Sequence, residues 1–598
     1  MSLSLPTPFG RFDRIVFEDF EFSTDPTNRP DHVLAYCARD LIGRGKWEIW
    51  KPKDDPCPLG DRDLLVAYAS GAELGCRSRL GWSMPKNVLC LHAEYCREVA
   101  GLDGEKYSRR GLLDALRVFG ILHPYENDKE RLQQRALDPS PFSADERKEM
   151  LAYCYADVTT SRKLFEKMLA VGCWKDEKEL GQALLRGRFV KAQRMVEGYG
   201  IPVDAELWDI LQTNRENIRV SFIDTMDRDK VYEDGVFKEK RFQELALRLD
   251  RRWPRTPRGA VRHDKTTLKT MGKRFPEIEN LRQLGKTLSA LREPSISIHN
   301  DRAYCYTAPF KSKTGRNQPS TSRFLFGAPK WMRSLIKPTK GRAIAYVDVV
   351  AEEFGIAALL SQDNAMWGSY CSDDVYIDFA KRAGLVPPNA TKATHPENRR
   401  MCKEVVLGVQ YGRGSASTSL ALNITEQKAY DLHFYHKSIY HKYWSYINKI
   451  VEMGLFRKCL LSVLGWRVHI HPKTKPQTIQ NFPMQAGGAE LMRAVTITAV
   501  ESGIRLIAQV HDAFVIEADQ STIDAETQKT RDIISKVSAS LFGKPLKSSA
   551  KVFTYPERYI DEDAGEMLKG FDKVLKGYGY DHLLVPKGKD SLPQTDAP

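Results

Sequence analysis

The sequence predicts a multidomain protein of mixed α/β and α+β class. Its 598 residues, at roughly 150 per domain, correspond to about four structural units rather than one core. Strongly β-prone runs occur at 14–22, 343–350 and 504–517. Long stretches of helical periodicity, over 63–180 and 351–458, separate them. The 42% hydrophobic and 28% charged content is ordinary for globular proteins and excludes bulk disorder. No run approaches 18 uninterrupted apolar residues, which excludes a membrane-spanning helix. The opening MSLSLPTPFGRFDR has no apolar core suited to a secretory signal, so a cytoplasmic location is expected. Eleven cysteines, scattered from Cys37 to Cys459 without a CxxC pair, point to reduced thiols rather than a disulfide framework or a structural zinc site. Lys plus Arg number 91 against 77 Asp plus Glu, a net charge of +14 that suits a polyanionic partner such as nucleic acid.

Taken in order, RIVFEDFEF (14–22) alternates apolar and polar residues and predicts a strand. Within 63–180, LLDALRVFGI (112–121) has i, i+3, i+4 spacing, and 144–169 is one long amphipathic helix. A strand followed by helices that return to it predicts an α/β domain ending near 180. Residues 185–300 are rich in Arg and Lys and poor in strand signals. They are compatible with a solvated helical face or with an arm that grips a phosphate backbone. AIAYVDVV (343–350) predicts a strand ending near a carboxylate, and IRLIAQVHDAFVIE (504–517) a strand, a tight turn at His511-Asp512 and a second strand. The polar tail KGKDSLPQTDAP is expected to be loose. No repeat and no GxxxxGK[ST] loop is present, which argues against a nucleotide-hydrolysing motor.

Two groups of carboxylates stand out. Asp19 and Glu21 are two apart on a strand and share a face. Adjacent acids repel unless a cation lies between them. Tyr153 and Asp157, at i and i+4, share a helix face. The second group, Asp348 and Asp512, lies 164 residues apart, each beside a β-prone run. Between them, RRMCKEVVLGVQYG (399–412) spaces Arg399, Lys403, Leu407 and Tyr411 four apart on one helical ridge. Two cations, an apolar group and an aromatic on one face can serve as a platform for a triphosphate and a base.

The layout of Asp19, Glu21, a later helical acid and Tyr153-x-x-x-Asp157 resembles the DEDD 3′–5′ exonucleases across 14–170. The third acid is expected to be Glu94, in NVLCLHAEYCREVAG (87–101), where that family has Asp. RRxxKxxxxGxxYG is similar to the fingers-helix motif of family A DNA polymerases, the class of bacterial DNA polymerase I. DVVAEEFGIAALLSQD (348–363) and QVHDAFVIE (509–517) resemble their palm motifs, and TGRNQPSTSRF (314–324) and NFPMQAGGAE (481–490) their primer–template motifs, in the same order. The resemblance covers about 14–560, and EEFGIAALLS and DVYxxFA look like bacteriophage members.

That resemblance implies an RNase H-like exonuclease domain (1–182) followed by a right-hand polymerase domain (183–598). The latter divides into thumb (183–300), palm (301–360 and 460–598) and fingers (361–459), the thumb being the cationic arm on duplex DNA. No 5′-nuclease domain is expected. Asp348, Asp512 and the Val349 carbonyl would hold two Mg2+ ions, with Mn2+ an acceptable substitute. Asp19, Glu21, Glu94 and Asp157 would hold the exonuclease metals, with Tyr153 orienting the attacking water. Arg399 and Lys403 would grip the dNTP phosphates, and Lys403 would also protonate pyrophosphate. Glu353 and Tyr411 would close off the ribose 2′ position. Arg316, Asn481, Gln485 and His511 would contact primer–template. Three departures are visible: Leu407 in place of an aromatic, Ala513 in place of an acid, and Tyr376 in place of a phosphate-binding His. The implied protein is a monomeric replicative DNA polymerase with proofreading, serving a phage genome in the host cytoplasm. Its partners would be primer–template DNA and dNTPs, with any helicase or processivity factor left open. Glu94 and Leu407 motivate the alternative of an exonuclease-deficient, error-tolerant repair or bypass polymerase. A catalytically inactive primer–template binder is a third reading, opposed by the intact acids at 348 and 512.

Overall fold

The computed structural model describes residues 8–25, 27, 29–41, 45–292, 296–320, 323–581 and 583–584. The tail expected to be loose, and Thr321 and Ser322 of the motif at 314–324, lie outside the described residues. The first predicted strand is Arg14–Thr24, the centre of a five-stranded sheet. Pro30–Asp40 and then Lys46–Trp50 join it antiparallel on one side. On the other side Asp63–Ala67 and Asn87–Cys90 join in parallel.

The expectation of a helical 63–180 is corrected by these two parallel strands. DLLVA is buried at every position, so it shows no alternation. A short continuous apolar run carries no periodicity that separates strand from helix. The long helix Ala144–Ala170 matches its predicted span within a residue. Ser143 caps it, accepting from the Glu146 N–H while the Glu146 carboxylate accepts from the Ser143 N–H. Leu112–Val118 ends short of Ile121 because the chain turns at Gly120, whose φ of +67° is left-handed.

The boundary expected at 182 falls inside one continuous helix, Glu177–Tyr199, capped by Asp176. Gly187 sits where that helix crosses Asn87–Cys90. A Cβ there would lie 1.8 Å from the Val88 carbonyl oxygen, so only glycine permits this approach. One apolar cluster runs from Leu65 and Val88 of the first sheet, through Phe189 and Val190 of this helix, to Ala345 and Val347 of a second sheet.

The cationic region forms helices Ala205–Thr213, Arg215–Met226, Glu239–Leu249, Lys265–Met271 and Pro276–Arg292. Its outer part has its own core around Phe242, Trp253 and Ile278. The second sheet is antiparallel, in the order Leu506–Val510, Ala513–Asp519, Arg342–Val349, Ser548–Thr554. Seven helices follow between Glu352 and Arg457, as the periodicity predicts. Helix Pro476–Glu501 then packs on Glu177–Tyr199 and on Ile523–Phe542. Among the described residues no helix is long and apolar enough to cross a membrane.

Candidate active sites

Strand pairing brings Asp348 and Asp512 together. His511 and Asp512 form a two-residue turn between Leu506–Val510 and Ala513–Asp519, with His511 at φ +56°. Asp348 pairs opposite Ala513, and the Val349 N–H donates to the Asp512 carbonyl at 3.0 Å. Residues 164 apart in sequence thus become neighbours at one end of the sheet. Burial, followed by the charge of Asp512, pushes the Asp348 carboxyl up to about 7, and the Lys403 ammonium opposes that rise. Burial pushes Asp512 up as well, offset by its backbone hydrogen bond and by His511 and Arg316.

After Val349 the chain turns through Ala351, a non-glycine residue at φ +45°, into helix Glu352–Ser361. The Glu353 carboxylate accepts from Arg316 Nη2 at 2.7 Å and from the Tyr411 hydroxyl at 2.5 Å. Glu352, which the sequence reading passed over, is 3% exposed, and its Oε1 has no hydrogen-bond partner. Burial, then Asp512, pushes its carboxyl up to about 8. It lines a cavity of about 520 Å³ together with Arg316, Asn317, Arg493, Gln509 and His511.

The ridge helix is Pro396–Gln410, with Pro in its first turn and Tyr411 just past its end. Arg399 Nε donates to Asp374 Oδ2 at 2.6 Å, and Asp374 also caps helix Val375–Arg382. The Arg399 guanidinium and the Lys403 ammonium lie 5.6 and 5.9 Å from the Tyr376 ring centroid. Leu407 is half-buried on the same ridge. Asn481 Nδ2 donates to the Tyr411 carbonyl at 3.3 Å. Gln485 stands one turn on from Asn481 in helix Pro476–Glu501, half-buried, and His511 is exposed at the turn. Hydrogen bonds join Arg316 and Tyr411 to Glu353, and Asn481 to Tyr411, while Asp348 and Asp512 meet at the sheet end.

A second acidic pocket lies on the first sheet. One ligand atom each from Asp19, Glu21 and Cys154 lie within 4.8 Å of one another. Glu18 faces the other way and pairs with buried Arg77 at 2.6 Å, as strand alternation requires. Asp157, one turn past Tyr153, has its Oδ1 2.6 Å from His123 Nε2 and its Oδ2 3.8 Å from Lys129 Nζ. Burial, then the charge of Asp157, pushes Asp19 well above the usual carboxyl range. Burial, then Asp19, does the same for Glu21. The Tyr153 phenol is likewise pushed up by burial and by Asp157, Glu21 and Asp19.

The structure does not bring Glu94 to this pocket. Its carboxylate accepts from Arg186 Nε and Nη2 at 2.6 and 2.8 Å and from Trp174 Nε1 at 2.9 Å. Burial works against its ionisation, yet the Arg186 guanidinium holds its carboxyl below the ordinary value. The fourth acid that faces the pocket is Glu73, in helix Gly71–Leu80. It is 5% exposed and is raised by burial and then by the charge of Asp19. Sequence reasoning missed it because a lone Glu in YASGAELGC carries no spacing signal, whereas the expected distance from Asp19 pointed to the later helix.

Both pockets fit hard divalent cations. Asp19 Oδ2 and Glu73 Oε2 are buried without hydrogen-bond partners, while Asp157 Oδ1 stands against His123 Nε2. The raised acids of both pockets would be relieved by positive charge between them. Carboxylate and carbonyl oxygens are the donors that Mg2+ and Mn2+ take.

The family model for DNA polymerase family A matches residues 240–554, just over half of the chain. The chain belongs to DNA polymerase family A. It is 23% identical over 294 residues to the thermostable DNA polymerase I of Thermus thermophilus, covering 45% of this chain and 35% of that protein. To DNA polymerase I of Treponema pallidum it is 22% identical over 302 residues, covering 45% and 29%. The matched stretch thus spans about a third of the length of these curated relatives. Among solved structures, the POL domain of Pol1 from M. smegmatis, in complex with DNA primer-template and dNTP, superposes with a TM-score of 0.66 at 16% identity. That match covers 90% of this chain and 94% of that one, and it establishes a shared mixed α/β polymerase-domain fold.

Proposed function

We propose that this chain is a template-directed DNA polymerase that adds dNTPs to a primer 3′-hydroxyl, with a 3′–5′ proofreading exonuclease, and that it replicates a phage genome. The observation that carries the reading is the convergence of Asp348 and Asp512 at one sheet end, facing Lys403 of the ridge helix. In this reading 1–182 is the exonuclease unit, 183–300 the thumb, 301–360 with 460–598 the palm, and 361–459 the fingers.

Asp348, Asp512 and the Val349 carbonyl would hold two Mg2+ ions. When bound, these lower the proton affinity of the primer 3′-hydroxyl and neutralise charge on the phosphates. Arg399 and Lys403 grip the triphosphate, Arg399 exchanging its contact with Asp374 for phosphate oxygens, and Lys403 gives a proton to the leaving pyrophosphate. Tyr376, its ring centroid 5.6 and 5.9 Å from the two cations, lines the nucleotide site with them. Glu353, bonded to Tyr411, walls off the ribose 2′ position and excludes ribonucleotides. Arg316, Asn481, Gln485 and His511 follow the minor groove at the primer end, where acceptor positions are nearly alike in every base pair. Pairing geometry is thereby checked without reading sequence.

At the second pocket Asp19, Glu21, Asp157 and Glu73 would hold the exonuclease metals, and Tyr153 would orient the attacking water. With Glu73 supplying the fourth acid, the departure at Glu94 no longer favours a polymerase without proofreading. Extension of a labelled primer on a defined template tests the reading. Nucleotides should give full-length product, and a mispaired primer without nucleotides should shorten. A primer unchanged under both conditions would refute it.

A further inference from the structure

The acidic pocket on the first sheet contains one donor that Mg2+ does not use. Cys154, on the helix that carries Tyr153 and Asp157, is fully buried, with its Sγ donating to the Asp19 carbonyl at 3.3 Å. That sulfur and one carboxylate oxygen each from Asp19 and Glu21 lie within 4.8 Å of one another. Among the described residues this is the one group of three acid, thiol or imidazole ligands so close together. A further oxygen, Glu73 Oε2, belongs to a side chain 5% exposed and has no hydrogen-bond partner.

We propose that this pocket also takes a thiophilic divalent cation, of the Zn2+ and Cd2+ class, with the Cys154 sulfur as one of its ligands. The inference rests on reading the pocket as a metal site and adds to it a donor and a metal class. Tetrahedral binding with metal–sulfur near ~2.3 Å and metal–oxygen near ~2.1 Å needs donor–donor separations of roughly 3.5 Å. The three donor atoms, within 4.8 Å of one another, have to draw together by little more than ~1 Å to reach it. Mg2+ is satisfied by oxygen and leaves the thiol on the Asp19 carbonyl, whereas a soft ion selects thiolate. On binding, Sγ releases its proton to water, gives up its hydrogen bond to that carbonyl and forms the metal–sulfur bond. No electron is transferred. Cys37, the cross-strand partner of Asp19, lies beside Cys154 and bonds the Leu151 carbonyl at 3.5 Å. It is not among the three grouped ligands and is assigned no bond to the metal. The consequence is a proofreading pocket that Zn2+ contests with Mg2+, through a sulfur that the palm acids lack.

Cd2+ titration of the metal-free full-length chain tests this through the ultraviolet sulfur-to-cadmium charge-transfer band, with Mn2+ binding followed by calorimetry. The wild type should show a tight phase of one Cd2+ per chain with the band. In Cys154→Ser and Cys154→Ala, checked by thermal melting to be folded, that phase should lose the band while Mn2+ still binds. Cys37→Ser should keep it. An undiminished tight-phase band in both folded Cys154 variants would overturn the sulfur assignment alone. Absence of any Mn2+ or Cd2+ binding that depends on Asp19, probed with Asp19→Asn, would overturn the metal-pocket reading and the inference with it.

Discussion

Replacing Glu94 with glutamine separates a structural anchor from a catalytic acid. The Glu94 carboxylate takes three short hydrogen bonds, two from Arg186 and one from Trp174, and both charged partners are nearly inaccessible to water. Neutralising it leaves the Arg186 guanidinium buried without a counter-charge. Removing one partner of such a pair costs about 3–5 kcal/mol, with glutamine toward the lower end because its amide oxygen still accepts one bond. Against the unfolding entropy of a 598-residue chain, that corresponds to a fall of about 2–4 °C in melting temperature. The assay pairs thermal unfolding with single-turnover excision of a mispaired primer, measured well below the transition. Glu94→Gln should melt early and, while folded, excise at nearly the wild-type rate. Glu73→Gln should do the opposite, keeping its stability and losing excision. The double variant Glu94→Leu/Arg186→Met should recover most of the loss, because apolar groups of similar volume replace a buried pair at little cost. Wild-type stability in Glu94→Gln together with lost excision would refute the anchor assignment and return Glu94 to the metal set.

Asp512→Asn should abolish primer extension while leaving primer–template affinity close to wild type in a gel-shift measurement, since the turn geometry survives and only charge is lost. Asp19→Ala should stop primer shortening and leave extension intact; equal loss of both would contradict separate sites. Glu352 is raised to about 8, so its burial is tolerated below the ordinary carboxyl range. Stability is then lost as pH rises from about 4, where the unfolded chain ionises, towards about 8. Glu352→Gln removes that term, so in urea melts with chelator it should gain on the wild type between pH 5 and pH 9. An unchanged difference across that interval would show that the carboxyl is not held in a dry site.

Much of the molecule was legible because periodicity and spacing are local. The helix Ala144–Ala170, the hairpin around His511-Asp512 and the ridge Arg399–Lys403–Leu407 all follow from residues within one or two turns of each other. What was not legible depends on tertiary approach. Asp63–Ala67 and Asn87–Cys90 are buried on both faces and so carry no alternation. Glu73 and Glu94 are both single acids on short helices, and only the positions of Arg186 and Asp19 in space decide which one faces a metal pocket and which is neutralised. Glu352 was overshadowed by its neighbour Glu353, whose spacing from Asp348 fitted a motif. Composition changes near 182, but the helix Glu177–Tyr199 runs through it unbroken, which no local pattern foretells.

That continuous helix constrains how the two pockets can cooperate. Glu177–Tyr199 buries residues against both sheets, and a second joint reinforces it. The hairpin of Cys459–Leu461 and Arg467–His469 is clamped to helix Leu91–Val99: Arg97 Nε donates to the Gly465 carbonyl at 2.8 Å, Arg467 pairs with Glu98 at 2.8 Å, and the His469 N–H donates to the Ala100 carbonyl at 2.7 Å. At Gly101 a Cβ would lie 2.3 Å from the His469 carbonyl oxygen, so the backbones are in contact there. A hinge between the pockets would have to break these bonds together, including the buried one from Arg97 to the Gly465 carbonyl, which water does not replace. Under the proposed function the joint therefore stays closed, and the primer end must unpair and cross a fixed distance. The partition between extension and excision is then set by how readily the terminal base pairs melt, and mispaired ends, which melt most easily, are the ones delivered to Asp19 and Asp157.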